Sequence, residues 1–443
     1  MAKEKTLFYC TNCGNEESKW QGKCPSCGEW NSFTEHKVTK TSKGTEVKHK
    51  KSISLDDIVI EDSFRYKTDI KEVDQVLGGG LMKGSSVLIG GEPGIGKSTL
   101  LLQIADSIKK NHKVLYISGE ESANQIKLRA KRLNISGSGI NILCDTHFET
   151  IIKSIKTEKP NLIIVDSIQT LQSDEAGNIP GSVNQLKYCC SQLIKETKDI
   201  EATLFFIAHV TKEGIIAGPK VVEHMVDTVL YFDHSASRIR ILRSVKNRFG
   251  SIDEVGLFSM EEKGLIELED PSGVFLTKRE SGLPPGISIG ATLEGTRVIL
   301  IEIQVLTVPA KGTTSRIFSD KVDVNRVSRV AAILEKHGGI KFSDRDIYVN
   351  IAGGIKVKET GIDLPLALAL YSSRTDIPIK DGIISSGELS LAGEIRIIPH
   401  IERRVKTAED MGFNIFLSPE KVEKTSLDVK EVRNIKSAIG LIL

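Results

Sequence analysis

Residues Gly91-Glu92-Pro93-Gly94-Ile95-Gly96-Lys97-Ser98 match G-x-x-x-x-G-K-[ST], the loop that cradles phosphate in NTPases. The context narrows the fold further. An apolar run, Val87-Leu88-Ile89, reads as a buried strand before the loop, and Thr99 to Ala105 reads as a helix after it. Glycines let backbone N–H groups turn toward phosphate, and the helix N-terminus adds partial positive charge. The expected nucleotide contacts are therefore Gly91, Glu92, Pro93, Gly94, Ile95, Gly96, Lys97, Ser98 and Thr99. Lys97 is expected at the β/γ-phosphates and the Ser98 hydroxyl on Mg²⁺. A strand–loop–helix unit of this kind demands a parallel α/β sheet.

A second strand, Leu162-Ile163-Ile164-Val165-Asp166, is apolar until its terminal carboxylate. Strands covered on both faces read this way, and open α/β sheets bind ligands at the carboxyl ends of their strands. Asp166 is the expected partner of Ser98 on Mg²⁺. Val114 to Ile117 is a further strand, leading into Ser118-Gly119-Glu120-Glu121. Either Glu120 or Glu121 would orient or deprotonate the attacking water, or the two would simply complement a helix dipole. Thr203 to Ala208 and Thr228 to Phe232 also read as strands. The first leads into His209, a γ-phosphate sensor or a satisfied histidine at a strand end.

Four of the seven cysteines lie within the first 27 residues, as Cys10-x2-Cys13 and Cys24-x2-Cys27. In a reducing compartment this spacing points to a four-thiolate Zn²⁺ site, whose metal would supply the folding energy of so small a segment. The first residues show no apolar leader, and no stretch approaches the ~20 apolar residues of a membrane span. The expectation is a cytoplasmic protein without a membrane partner. From His36 to Lys51 the chain carries six lysines and little that is apolar, as a solvated linker does. A net charge of +2 over 443 residues neither supports nor excludes nucleic acid.

The cysteine pairs, the phosphate loop, Ser118-Gly119-Glu120-Glu121-Ser122 and the pentapeptide Lys246-Asn247-Arg248-Phe249-Gly250 together resemble the bacterial RadA (Sms) family of DNA-repair ATPases. The C-terminal half resembles the Lon protease domain. The resemblance implies an α/β protein in three parts. These are a zinc ribbon over residues 1–35, a RecA-like ATPase domain over 56–275 after a basic linker at 36–55, and an α+β Lon-like domain over 284–443. It implies ATP, Mg²⁺ and Zn²⁺ as cofactors, a homohexameric ring, single-stranded and branched DNA as substrates, and a recombinase as partner. Lys246 and Arg248 would act as fingers on the γ-phosphate of a neighbouring subunit.

DNA contact is less legible. The loops expected to touch the strand are Ser173–Gly181 and Lys212–Lys220, and neither interleaves aromatics with cations. Arg297 to Val305 reads as β-structure, Val324 to His337 as an amphipathic helix and Asp346 to Ala352 as a strand. Arg316, Lys321, Arg326 and Arg329 form a loose basic series beside them. Alignment of the Lon-like half puts Asp363 where a nucleophilic serine would stand and Glu402 where its lysine would stand, with Lys406 one turn later. Two carboxylates cannot form an activated alkoxide, so the expectation is a domain that cuts no peptide bond. The functional readings are thus a DNA motor, an ATP-dependent Lon-type protease, or a nucleotide-gated scaffold on DNA.

Overall fold

The structure is a computed structural model. It describes residues 5–10, 15–26, 28–38, 54–57, 64–176, 182–209, 221–234, 238–268, 272–277, 279–280, 282–312 and 315–442. The chain divides into two compact units, residues 1–233 with 240–267, and residues 234–239 with 268–443.

In the first unit, strands β1 (Lys5–Cys10), β2 (Glu16–Glu17) and β3 (Phe33–Val38) form a small antiparallel sheet in the order β2-β1-β3. Cys10 and Cys24, each 1% exposed, pack with Phe33 and Phe8. The two knuckles repeat one hydrogen bond: Cys10 N–H donates to Asn15 O at 2.8 Å, and Cys24 N–H donates to Glu29 O at 2.8 Å. Cys13 and Cys27 lie outside the described residues.

A short hairpin of β4 (Arg65–Tyr66) and β5 (Leu81–Met82) encloses helix α1 (Lys71–Val76). The main sheet then alternates strand and helix: β6 (Ser86–Gly91), α2 (Lys97–Ile108), β7 (Val114–Ser118), α3 (Ala123–Arg132), β8 (Ile140–Leu143), α4 (Phe148–Glu158), β9 (Leu162–Asp166), α5 (Val183–Asp199), β10 (Thr203–His209), α6 (Val221–Met225) and β11 (Thr228–His234). Strands β12 (Ile239–Asn247), β13 (Val255–Glu261) and β14 (Gly264–Glu267) extend it to nine, in the order β14-β13-β12-β11-β6-β10-β9-β7-β8. β6 pairs in parallel with β10 and β11, as does β9 with β10 and β7.

The apolar runs are continuous because both faces are covered. Period-two alternation sends Val87 and Ile89 into one core with α2 residues Leu100 and Leu101. Leu88 goes into the other core, with Leu186, Cys189 and Leu193 of α5. Strands β9 and β10 divide in the same way: Ile164 and Phe205 join the first core, Ile163 and Phe206 the second. Every strand read from the sequence is present.

The second unit is a seven-stranded mixed sheet with helices. Its elements are β15 (Ile287–Glu294), β16 (Arg297–Pro309), β17 (Ile317–Ser319), α7 (Val324–Ile333), β18 (Arg345–Ile351), α8 (Asp363–Thr375), β19 (Ile383–Ser385), β20 (Glu388–Leu389), β21 (Ile395–Arg396), α9 (Ile401–Asp410), β22 (Ile415–Ser418), β23 (Asp428–Glu431) and α10 (Ile435–Ile442). The sheet order is β17-β18-β16-β15-β19-β22-β23, with β20 and β21 forming a separate ribbon. The helix expected over Val324–His337 holds α-geometry to Ile333 and finishes in a wider π turn, Leu334–Gly338. Among the described residues, no helix is long and apolar enough to cross a membrane.

Candidate nucleotide site and the basic turn opposite it

The phosphate loop joins the end of β6 to the start of α2. Gly96 caps the helix at φ 118°, a left-handed backbone that L side chains rarely adopt. Lys97, 4% exposed, folds back on the loop and donates to Gly91 O at 2.7 Å and Glu92 O at 2.9 Å. Burial pushes its ammonium down to about 8, against the opposing pull of Asp166, Glu120 and Glu92. Two straps hold the loop: Arg240 Nε donates to Ile95 O, and the side-chain amide of Gln103 on α2 bonds both N–H and C=O of Leu265 in β14.

The carboxylates arrive from the neighbouring strands. Register pairs Ser118 at the end of β7 with Asp166 at the end of β9. Asp166, 6% exposed, accepts a hydrogen bond on Oδ2 from the buried Tyr116 hydroxyl at 2.5 Å. Glu120 and Glu121 diverge. Glu120 Oε1 accepts from the Ser167 hydroxyl at 2.5 Å and lies 3.2 Å from His209 Nε2. Glu121 turns to α3, where it pairs with Arg129. Lys97, Asp166, Glu120 and His209 therefore gather at one edge of the sheet, and Glu121 leaves it. Neither Tyr116 nor Ser167 stood out in the sequence, since one reads as a core aromatic and the other as a small polar residue after a strand.

The expected Mg²⁺ ligands, Ser98 and Asp166, form an oxygen donor set suited to that ion. Cys10 and Cys24, buried in matching knuckles, suit Zn²⁺.

The pentapeptide forms a turn at the opposite edge. Asp227 marks that edge: its Oδ2 accepts from Ser86 N–H at 3.0 Å and Ser86 Oγ at 2.7 Å, at the first residue of β6. Arg248 N–H donates to Asp227 O at 3.2 Å, and its guanidinium stands 3.4 Å from Asp227 Oδ1 with 56% of the side chain exposed. Lys246 does not extend beside it. Its ammonium donates to Glu223 O at 2.9 Å, His224 O at 3.2 Å and Val226 O at 2.7 Å, the carbonyls at the end of α6. Asn247 Oδ1 accepts from Phe249 N–H at 3.0 Å and sets the turn. Gly250 lies so close to Gly78 that an added Cβ would meet Gly78 Cα at 3.0 Å.

Of the two loops expected on DNA, 173–176 are described and 177–181 are not, while Lys212–Lys220 lie wholly outside the described residues. The basic series is largely committed to carboxylates: Arg316 to Asp346 at 2.8 Å, Arg326 to Asp363 at 3.7 Å and Arg329 to Asp363 at 4.0 Å. Asp363 opens α8, 1% exposed, and burial pushes its carboxyl up to about 6. Glu402 is exposed on α9. The cation that α9 turns inward is Arg404, fully buried, which donates to Ala291 O at 2.7 Å and pairs with Glu359. Sequence alone gave no sign of that pair, whose members stand 45 residues apart.

Family models match three stretches of the chain. Residues 8–35 match a rubredoxin metal binding domain, residues 66–141 match KaiC, an ATPase, and residues 319–422 match subunit ChlI of Mg-chelatase. The order of ribbon, RecA-like ATPase domain and C-terminal α+β domain is thus the order expected, with ChlI as the model that matches the last. The chain is 50% identical to a DNA repair protein RadA of Treponema pallidum over 426 residues, 95% of this chain and 93% of that one. Identity is 43% to the RadA of Bacillus subtilis, covering 99% of both chains, and 39% to that of Pseudomonas aeruginosa, covering 100% of both. The chain belongs to the RadA family of DNA repair proteins.

Proposed function

We propose that this chain is a DNA-dependent ATPase of recombination and repair that assembles as a homohexameric ring. It uses ATP to move on single-stranded DNA and to drive branch migration of recombination intermediates, beside a recombinase. One observation carries the ring: the phosphate loop and the exposed Arg248 occupy opposite edges of one sheet, joined through β6 and Asp227. Six residues of strand at ~3.3 Å each separate them by about 20 Å, beyond side-chain reach. Arg248 therefore serves a phosphate held by a neighbouring subunit.

Within the site, Lys97 neutralises the β- and γ-phosphates, and the backbone N–H groups between Gly94 and Thr99 cradle them. Ser98 and Asp166 would hold Mg²⁺, which when bound neutralises phosphate charge. Glu120 is the residue that orients and deprotonates water, because Ser167 and His209 fix its carboxylate toward the site while Glu121 is paired with Arg129. Cys10, Cys13, Cys24 and Cys27 would hold Zn²⁺, which when bound stabilises the fold of the ribbon. Protein of this chemistry acts among reduced thiols, in the cytoplasm.

The protease alternative lacks a nucleophile. Asp363 and Glu402 stand where serine and lysine would be needed, and the serines next along the chain are spent on packing: Ser372 Oγ donates to Ile377 O at 2.6 Å, and Ser373 Oγ accepts from Thr307 N–H at 2.9 Å. The deciding experiment is ATP hydrolysis with and without single-stranded DNA, run beside a branch-migration assay on a three-strand intermediate. Hydrolysis indifferent to DNA, with no movement of the branch, would sink the motor and leave the scaffold.

A further inference from the structure

Among the described residues, the nucleotide-side core of the ATPase unit is apolar but for two phenols, Tyr66 at 9% exposure and Tyr116 at none. Tyr116 is completely buried in the cluster that contains Ile89, Leu100, Leu101 and Ile164, and its ring runs upward beneath the sheet edge. A buried phenol needs a hydrogen-bond partner, and here the partner is the carboxylate of Asp166 at 2.5 Å. Register makes this possible: Tyr116 sits two residues before Ser118, which is itself opposite Asp166, so the length of the phenol spans the remaining rise to the strand end. Only Oδ2 is engaged; among the described residues Oδ1 of Asp166 makes no hydrogen bond and is not a fully buried atom. Backbone adds rigidity, since Gly119 N–H donates to Asp166 O at 2.8 Å.

Resting on the nucleotide reading above, we infer that Tyr116 is a positioning residue for the metal. Through Asp166 it fixes which carboxylate oxygen is offered to Mg²⁺. A carboxylate free to rotate offers either oxygen; one held on Oδ2 by a rigid ring offers Oδ1 from a fixed direction. Partners that orient a metal ligand in this way commonly govern metal affinity by 10–100-fold when removed. A merely structural role would predict something else, since exchanging a buried phenol for a phenyl ring would alter the melting temperature and leave metal affinity alone.

The test titrates Mn²⁺ by electron paramagnetic resonance into full-length protein carrying a non-hydrolysable ATP analogue. Tyr116→Phe should bind Mn²⁺ about tenfold more weakly or worse. Its affinity for the analogue in EDTA should stay at the wild-type value. Asp166→Asn should lose the metal, and adding Tyr116→Phe to it should change nothing more. Wild-type Mn²⁺ affinity in Tyr116→Phe would overturn the inference, as would an equal loss of metal-free nucleotide binding. A wild-type protein that takes no Mn²⁺ with the analogue would instead remove the nucleotide reading itself. Should Tyr116→Phe not fold, 3-fluorotyrosine placed at position 116 supplies a second readout. Its ¹⁹F resonance should move when Mg²⁺ is added to the nucleotide complex, and an unmoved resonance overturns the inference.

Discussion

Replacing Arg248 by alanine separates action between subunits from action within one. The guanidinium projects at the edge of the sheet marked by Ser86 and Asp227, whereas phosphate would lie past Gly91 at the other end of the same strand. A single chain cannot close that gap of about 20 Å, so under the proposed function each chain's arginine would complete the next chain's site. Loss of such a finger costs about 10³-fold or more in turnover. That is about 4 kcal/mol of transition-state stabilisation. Nucleotide affinity should change far less, because the charge that the finger meets develops in the transition state. The pair Arg248–Asp227 is open and more than half exposed on the arginine side, so the substitution should leave folding intact. The informative assay mixes equal amounts of Arg248→Ala and Lys97→Ala chains, each inactive alone. An interface works when an intact loop meets an intact finger, roughly one head-to-tail interface in four. Steady-state hydrolysis should therefore return to about a quarter of the wild-type rate when interfaces act independently. No recovery in rings verified as mixed, or wild-type turnover by Arg248→Ala alone, would refute the reasoning.

The remaining expectations are these. Because burial lowers Lys97 to about 8 in the folded chain, ATP binding should weaken as pH rises through 8, by up to about tenfold per pH unit, with a proton taken up on binding. Below that value the lysine is already charged and the dependence should vanish; Lys97→Arg should not show it, and a flat affinity from pH 7 to 9.5 in the wild type would refute the assignment. The ribbon should carry about one Zn²⁺ per chain, lost in Cys10→Ser or Cys24→Ser, as metal analysis of purified protein would reveal. Highly purified protein should cut no unfolded polypeptide with or without ATP; cleavage abolished by changing Asp363 or Ser372 would restore the protease.

The strands of the ATPase unit were readable because strands buried on both faces spell continuous apolar runs, and the terminal Asp166 stands out against them. The loop was readable because its glycines and Lys97-Ser98 are contiguous. What escaped the sequence lies in pairs brought together by folding. Tyr116 looks like any strand aromatic until Asp166, 50 residues later, comes to its hydroxyl. The choice between Glu120 and Glu121 depends on Arg129 and Ser167, which sit on different elements. Lys246 resembles a projecting cation in the pentapeptide, yet the end of α6 presents three carbonyls that absorb its donors. In the C-terminal unit, alignment pointed to Glu402, while the charge that matters to the interior is Arg404, one strand-spacing of sequence away and on the other side of the helix.

The alternation along β6 has a mechanical corollary. Ile89 leans on the helix that begins at the phosphate loop, and its neighbour Leu88 leans on α5, in the layer beneath β10. The sheet is a party wall between two rooms with separate furniture. Each layer can exchange side chains without disturbing the other, but a displacement of the wall itself is felt in both at once. A shift of the loop that reaches β6 therefore also moves β10, hydrogen-bonded to it from Ser86 to Gly91, and with it the His209 end of that strand.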